Sequence, residues 1–285
     1  MKRSDFRFFD RLRVRWSEVD LQKIVFNGHY LMYFDTAVAG YWRALALPYH
    51  ETMEQLAGDL YVRKATLEYE GSARYDEQLD VGMRCARIGN SSLVFAGAVF
   101  RGEQRLVHGE LIYVFADPAT QTSRPVPQAL REWLLGYEAG EKMFEIATGG
   151  WGELGAEAQQ LRRLVFVDDL RLPPSLIADE LDATALHAIA RNRMGRAVGC
   201  GRLLAPTPGC AQVGRLAVIS GLRGAGIGQA LLAGLVRAAR VRGDRELMLQ
   251  AAASALPFYE RAGFSRSGGE VFEAGEQHVE MKLAL

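Results

Sequence analysis

VGRLAVISGLRGAGIGQALL, residues 213–232, changes character twice within a short span. An apolar run stops at Ser220-Gly221, glycines follow at 224, 226 and 228, and a helical pattern opens with Gln229-Ala230-Leu231-Leu232. A strand, a glycine-rich bend and a helix start in that order present main-chain N–H groups that lack partners of their own, and they suit an anion. Glycine lets a phosphate approach the main chain because no Cβ stands in the way. Arg223 adds a positive charge at the lip of the loop, and Ile227, Leu231, Leu235 and Ala238 give the helix an apolar face. The competing reading is a tight turn that binds nothing.

Two common phosphate loops do not fit. The Walker pattern puts lysine where Ile227 stands, and the dinucleotide fingerprint fails because Gly228 falls one place out of register after Gly224-x-Gly226. Arg223-x-x-Gly226-x-Gly228 remains.

Outward from this loop, helix and strand patterns alternate. The reading predicts a first strand at 144–148, elements over 153–164, 185–190, 197–205 and 213–218 among which helices and strands alternate, and a helix at 226–242. A strand at 246–251, a helix at 255–262 and further strands complete this half. Residues before about 140 read differently. A strand over 11–19 precedes a long helix over 28–47, in which Leu31, Phe34, Val38, Trp42 and Leu45 recur at helical spacing and Pro48 marks the end. Strands follow at 60–69, 79–88, 92–101 and 105–115, with hairpin turns at Gly89-Asn90 and Gly102-Glu103, then a closing helix at 128–137. The expected plan is α+β, with domains at 1–140 and 141–285.

The chain has 285 residues, 49% hydrophobic and 24% charged, enough for two folded domains. Its 34 basic and 34 acidic residues cancel, so no basic excess points to nucleic acid or an anionic membrane. Three cysteines (Cys85, Cys200, Cys210) lack CxxC spacing, which favours a reducing cytoplasm over a disulfide framework or zinc site. No leader or membrane span is expected.

The loop resembles the acetyl-CoA pyrophosphate loop of the Gcn5-related N-acetyltransferases (GNAT), whose pattern is [QR]-x-x-G-x-[GA]. AASALPFYERAGF (252–264) is similar to that family's later helix. LRRLVFVDD (161–169), Glu180-x-Asp182 with His187, and Glu273-x-Gly275-x-x-His278-x-x-Met281 resemble one bacterial branch. The resemblance implies a mixed sheet with helices on both faces. It also implies that main-chain groups of Ala217 and Val218 meet the pantetheine arm, with Arg223 beside the diphosphate that Gly224, Gly226, Ile227 and Gly228 cradle. Tyr259 would then protonate the departing thiolate, a phenol near pKa 10 matching a thiolate of similar basicity. Glu180, Asp182, Glu273 and His278 all stand as candidate bases. Ala252 replaces an amide side chain common in related sequences.

RWSEVDLQKIVFNGHYLMYFDTA (15–37) sets Asp20 between a strand and the long helix, where a carboxylate can act as base or nucleophile while N–H groups at Asn27 or Gly28 hold an oxyanion. Capping a turn is the alternative. Asp20, Ile24, Val25, Asn27 and Tyr30 resemble the D-x-x-x-[IVH]-V-x-[NYH]-x-x-Y segment of hotdog-fold acyl-CoA thioesterases of the 4-hydroxybenzoyl-CoA type. Residues 65–95 are similar to the strands that follow in that family, with Ser72 in place of proline, Lys23 in place of glycine and His29 in place of asparagine or arginine. Arg63, Lys64 and Arg74 are secondary candidates for CoA phosphates, and His50 and His108 read as structural or exposed. A central helix wrapped by an antiparallel sheet, pairing into a homodimer or homotetramer, is what this resemblance implies.

Together the two resemblances imply a cytoplasmic, metal-free, bifunctional enzyme. It hydrolyses acyl-CoA in one domain and transfers acetyl from acetyl-CoA to an amine in the other. In the alternative, the first half is a dimerisation or acyl-CoA-sensing module without catalysis.

Overall fold

The computed structural model describes residues 1–273 and 276–285, and side chains outside 270–276. The chain forms two compact units, Met1–Met143 and Phe144–Leu285. The change falls at 143/144, slightly beyond the expected 140.

The first unit contains β1 (Phe8–Arg13), α1 (Asn27–Ala44), α2 (Tyr49–Gln55), β2 (Asp59–Tyr69), β3 (Gln78–Ile88), β4 (Ser92–Arg101), β5 (Gln104–Ala116) and α3 (Gln128–Glu138). Its sheet runs β1-β3-β4-β5-β2, antiparallel throughout. Gly102, at φ +58°, turns β4 into β5 so that Arg101 faces Gln104. Phe34, Ala37 and Tyr41 of α1 are fully buried. Gly97 of β4 admits the Phe34 ring, since a Cβ there would sit 3.1 Å from it. The Tyr41 hydroxyl and the Cys85 N–H both donate to Glu138, which satisfies a carboxylate at the end of α3.

Two elements differ from expectation. Strand β1 begins and ends earlier than 11–19, because its partner β3 starts at Gln78, opposite Arg13. Beyond it the chain turns through Trp16–Glu18, with the Arg15 N–H donating to the Glu18 carboxylate. Helix α1 stops at Ala44, and Pro48 instead caps the unforeseen α2.

The second unit contains β6 (Phe144–Gly149), α4 (Trp151–Arg162) with a π-helical continuation Arg163–Asp169, β7 (Leu186–Asn192), β8 (Ala197–Thr207) and β9 (Cys210–Val218). Helix α5 (Ile227–Arg242), β10 (Glu246–Ala252), α6 (Leu256–Arg261), β11 (Ser265–Glu273) and β12 (Glu276–Ala284) follow. The sheet order is β11-β12-β10-β9-β8-β7-β6. Helices cover both faces, as residue alternation on β8 makes plain. Gly199 and Gly201 face α5, where added Cβ atoms would come within 2.9 Å of Leu231 and Leu235. Arg202, out of step with them, faces the ion network that includes Arg162 of α4.

Two irregularities shape this sheet. Strands β9 and β10 are its parallel pair, but they register only at 210–212 against 246–248 and then part. Strand β9 also carries an extra residue where Cys200 pairs with Ala217 and Arg202 with Gly214. The excess falls at Arg215, whose φ is +52°, a strained value for a residue with a Cβ.

Candidate functional site

In the second unit, the end of β9, the glycine loop, the start of α5 and helix α6 border a cleft of about 730 Å³. Ala217, Val218, Arg223, Gly224, Gly226, Gly228 and Tyr259 all line it. Ile227 does not, because its side chain is buried under α5, leaving only its peptide N–H for a ligand.

The loop is held by short local bonds. Leu222 donates to Ile219, Arg223 N–H to Ser220, and Ala225 to Leu222. Gly224 and Gly226 have φ of +88° and +81°, which a β-carbon would oppose, and neither has a neighbour within 4 Å of a built Cβ. The glycines therefore answer to backbone conformation and leave open space in front of the loop. Gly226 caps α5 without a side-chain hydrogen bond, and no acidic residue stands in its first turn. The first N–H groups of α5 thus carry the positive end of the helix dipole with no internal anion. The Arg223 guanidinium donates to Val218 O at 3.3 Å and to Asp169 at 3.0 Å. Replacing Gly226 with valine is expected to weaken CoA binding about tenfold or more and to cost about 1 kcal/mol of stability, read by titration calorimetry and thermal melting.

Tyr259 packs edge-on against Phe258 and Phe264, with ring centroids at 4.9 and 5.9 Å. Burial pushes its phenol up to about 12, above the value near 10 that the sequence suggested. Its hydroxyl makes no hydrogen bond among the described residues.

Sequence reasoning missed a buried ion network behind this cleft. Asp182 is 1% exposed and accepts from Arg162 at 2.9 Å and Arg202 at 2.9 Å, while Arg202 and Arg215 both donate to Asp179. His187 is buried, with Nε2 at 3.0 Å from Asp182 O and its ring against Trp151. Burial lowers the His187 pKa and so favours the neutral ring. Burial alone would raise the Asp182 carboxyl, but hydrogen bonds from the Asp179 N–H and from the Arg202 and Arg162 guanidiniums outweigh it and lower its pKa, which makes Asp182 a poor base. Glu180 is exposed, and His278 in β12 lies opposite Ala252 of β10. The Glu273 side chain and Gly275 lie outside the described residues. A charge placed in an otherwise apolar register, Arg202 after Val198 and Cys200, was the signal available in sequence.

Burial alone would raise the Asp179 carboxyl, but hydrogen bonds from Arg202 and Arg215 outweigh it and bring the pKa to about 2. A pKa below the unfolded value near 3.9 contributes stability above about pH 4, lost as pH falls toward 2. The urea midpoint should drop across that window, and drop less in Asp179→Asn.

In the first unit, Asp20 opens a hairpin closed by the Val19–Val25 bridge. Its N–H donates to Ile24 O at 2.9 Å, and its Oδ1 accepts from the Gln22 N–H at 2.8 Å. Its second carboxylate oxygen has no protein partner among the described residues. Lys23 adopts φ +62°, a left-handed backbone that favours glycine. Val25 is buried and Phe26 caps α1. Asn27 is exposed and its carbonyl accepts from the Tyr69 hydroxyl at 3.1 Å, while Tyr30 Oη accepts from the Ala73 N–H at 2.9 Å. A Cβ on Gly28 would meet the Phe26 ring at 3.0 Å. Trp16, Leu21, Phe26, Met32, Tyr69 and Tyr75 are exposed on this unit.

Comparison with known proteins matches both folds to families. The Thioesterase superfamily signature covers residues 22–108 and the Acetyltransferase (GNAT) domain signature covers 167–285. The acyl-CoA thioester hydrolase YbgC of Escherichia coli O6:H1 is 27% identical over 124 residues, 42% of this chain and 89% of that protein. The uncharacterized N-acetyltransferase YjcF of Bacillus subtilis is 30% identical over 126 residues, 44% of this chain and 89% of that protein. A solved 1,4-dihydroxy-2-naphthoyl-CoA thioesterase from Synechocystis is 14% identical with a TM-score of 0.42, covering 45% of this chain and 95% of that one. The chain is thus an α+β fusion of two family domains. It belongs to the GNAT acetyltransferases through its second unit, and its first unit matches the Thioesterase superfamily over residues 22–108.

Proposed function

We propose that the chain is a bifunctional CoA-thioester enzyme, hydrolysing acyl-CoA at Asp20 and acetylating an amine in the cleft beside Tyr259. The observation that carries the reading is the cleft itself, where the parted end of β9, the uncapped first turn of α5 and Tyr259 meet. The adenine-side diphosphate would lie on the N–H groups of Gly224 to Gly228, with Arg223 exchanging Asp169 for phosphate. The pantetheine arm would run along Ala217 and Val218, where β9 has lost its parallel neighbour. A neutral amine then attacks the acetyl carbonyl, the amine proton leaves to a base, the C–S bond breaks, and Tyr259 hydrogen-bonds the departing sulfur.

In the first unit, Asp20 would take a proton from water, or attack the thioester carbon directly, while the N–H groups at Asn27 and Gly28 hold the oxyanion. The products are free acid and CoA. Neither step, as written, draws on a metal. The open edge of β2, exposed from Tyr61 to Thr66, and the apolar side chains around Asp20 support a homodimer or homotetramer through this unit. Among the described residues no helix is long and apolar enough to cross a membrane. The free cysteines suit a reducing cytoplasm.

The test is thiol release from short, long and aromatic acyl-CoAs without amine, then from acetyl-CoA with an amine panel. Hydrolysis in the first assay and amine-dependent release in the second are expected. Release in neither, by protein that still binds CoA, overturns the reading. Amine-dependent release alone would instead leave the first unit a dimerisation or acyl-CoA-sensing module.

A further inference from the structure

The ion network behind the cleft alternates in charge along its length: Arg162, Asp182, Arg202, Asp179, Arg215. Guanidiniums stand at both ends, so three cations share two carboxylates. The inner end is closed. Arg162 is wholly buried, donates to Ile177 O at 3.0 Å, approaches His187 Nδ1 at 3.4 Å and lies 5.4 Å from the Trp151 ring centroid. The outer end is not. Arg215 has a side chain 19% exposed, gives one nitrogen to Asp179 at 3.0 Å, and keeps its Nε without a partner. Arg202, 6% exposed, and the wholly buried Arg162 likewise hold a buried, unpartnered Nε, so the outer end differs from the inner one by the exposure of Arg215.

A surplus cation in a part-buried setting is costly unless an anion completes it. The place of this one is specific. Arg215 is the strained, extra residue of β9, and the next residue, Leu216, begins the wall of the cleft. Cys200 Sγ contacts Arg215 O at 3.6 Å, which helps pin the irregular backbone. The open guanidinium therefore belongs to the strand along which the thioester would lie.

We propose that Arg215 is the acceptor-recognition residue of the second unit and that it binds a carboxylate carried by the amine that is acetylated. The proposal rests on the acetyltransferase reading of this cleft and narrows its acceptor to amines bearing an acidic group. Arg215 supplies charge and donors matched to a carboxylate. Asp179 shares that guanidinium and fixes its position. Arg202 holds Asp179 in turn, and its own charge adds to the field at the outer end. An acceptor whose acid is amidated loses this contact and keeps only the reacting nitrogen.

Calorimetric titration of the CoA-loaded full chain tests this. The probes are glycine, 3-aminopropanoate, 4-aminobutanoate, 6-aminohexanoate and phenylalanine, each beside its primary amide. At least one acid should bind about 10- to 100-fold more tightly than its amide, as a charged hydrogen-bonded contact requires. In Arg215→Gln that ratio should fall toward one, and Arg215→Lys should recover part of it. The ratio within one preparation is independent of the fraction folded, so partial unfolding of a variant cannot mimic the result. Equal binding of acids and amides, no binding of any acid at millimolar concentration, or a ratio that survives Arg215→Gln overturns the proposal. Acetyl transfer to the same amines is assayed separately. A carboxylate preference in binding without transfer to any amine would sink the acetyltransferase reading while leaving the anion seat at Arg215 in place.

Discussion

Asp20→Asn is expected to lower amine-independent thiol release from acyl-CoA by roughly 10²- to 10⁴-fold, the usual worth of a positioned base or nucleophile. The substitution separates two roles that the geometry places on one side chain. Asp20 Oδ1 accepts the Gln22 N–H, a turn contact that an asparagine oxygen can make equally well. What asparagine cannot supply is a second anionic oxygen, the one left without a protein partner. If Asp20 only caps the hairpin between Val19 and Val25, the variant hydrolyses acyl-CoA like the parent. If it does the chemistry, turnover falls while binding of a non-hydrolysable acyl-CoA thioether persists. Asp20→Ala completes the comparison, since it removes cap and carboxylate together and should add about 0.5–2 kcal/mol of local destabilisation.

The parts of this molecule that could be read from sequence are those whose cause is local. The long helix shows itself through apolar spacing that matches the buried face Phe34, Val38 and Trp42. The β4–β5 hairpin is marked by Gly102, which the turn needs at φ +58°. The glycine loop is legible for the same reason: residues 223–228 carry both the backbone conformation and the site, in one contiguous run. Residues 11–19 have a strand's period, yet the pairing of β1 ends at Arg13, where β3 begins. Helix α2 buries only Thr52 and Met53 and so has no period to detect. The ion network draws Arg162 from α4, Asp179 and Asp182 from the cap and body of a short 3-10 turn at Glu180–Thr184, and Arg202 and Arg215 from two strands. No spacing in one segment could reveal it. The bulge at Arg215 is equally non-local, because an extra residue exists only relative to a partner strand.

Tyr259→Phe should reduce the maximal rate of amine acetylation by about 10²-fold, with acetyl-CoA affinity retained, and should leave acyl-CoA hydrolysis by the first unit running. The phenyl ring keeps its packing against Phe258 and Phe264, and the lost hydroxyl had no partner among the described residues, so the fold should tolerate the change. The elevated phenol alters the mechanism in an instructive direction. With the pKa near 12, Tyr259 is protonated across any working pH, and the rate profile should show no alkaline fall from this group below about pH 11. Burial that holds the phenol in its protonated form makes full proton transfer to sulfur uphill. The hydroxyl therefore serves best as a hydrogen-bond donor whose contact strengthens as negative charge builds on sulfur, stabilisation of the kind that is realised in the transition state. That account makes a second, sharper demand. The deficit of Tyr259→Phe should shrink with an acetyl thioester of a more acidic thiol, whose leaving sulfur carries charge more easily. A deficit that stays constant across leaving groups would mean that Tyr259 only shapes the cleft, and the proton on sulfur would have to come from elsewhere.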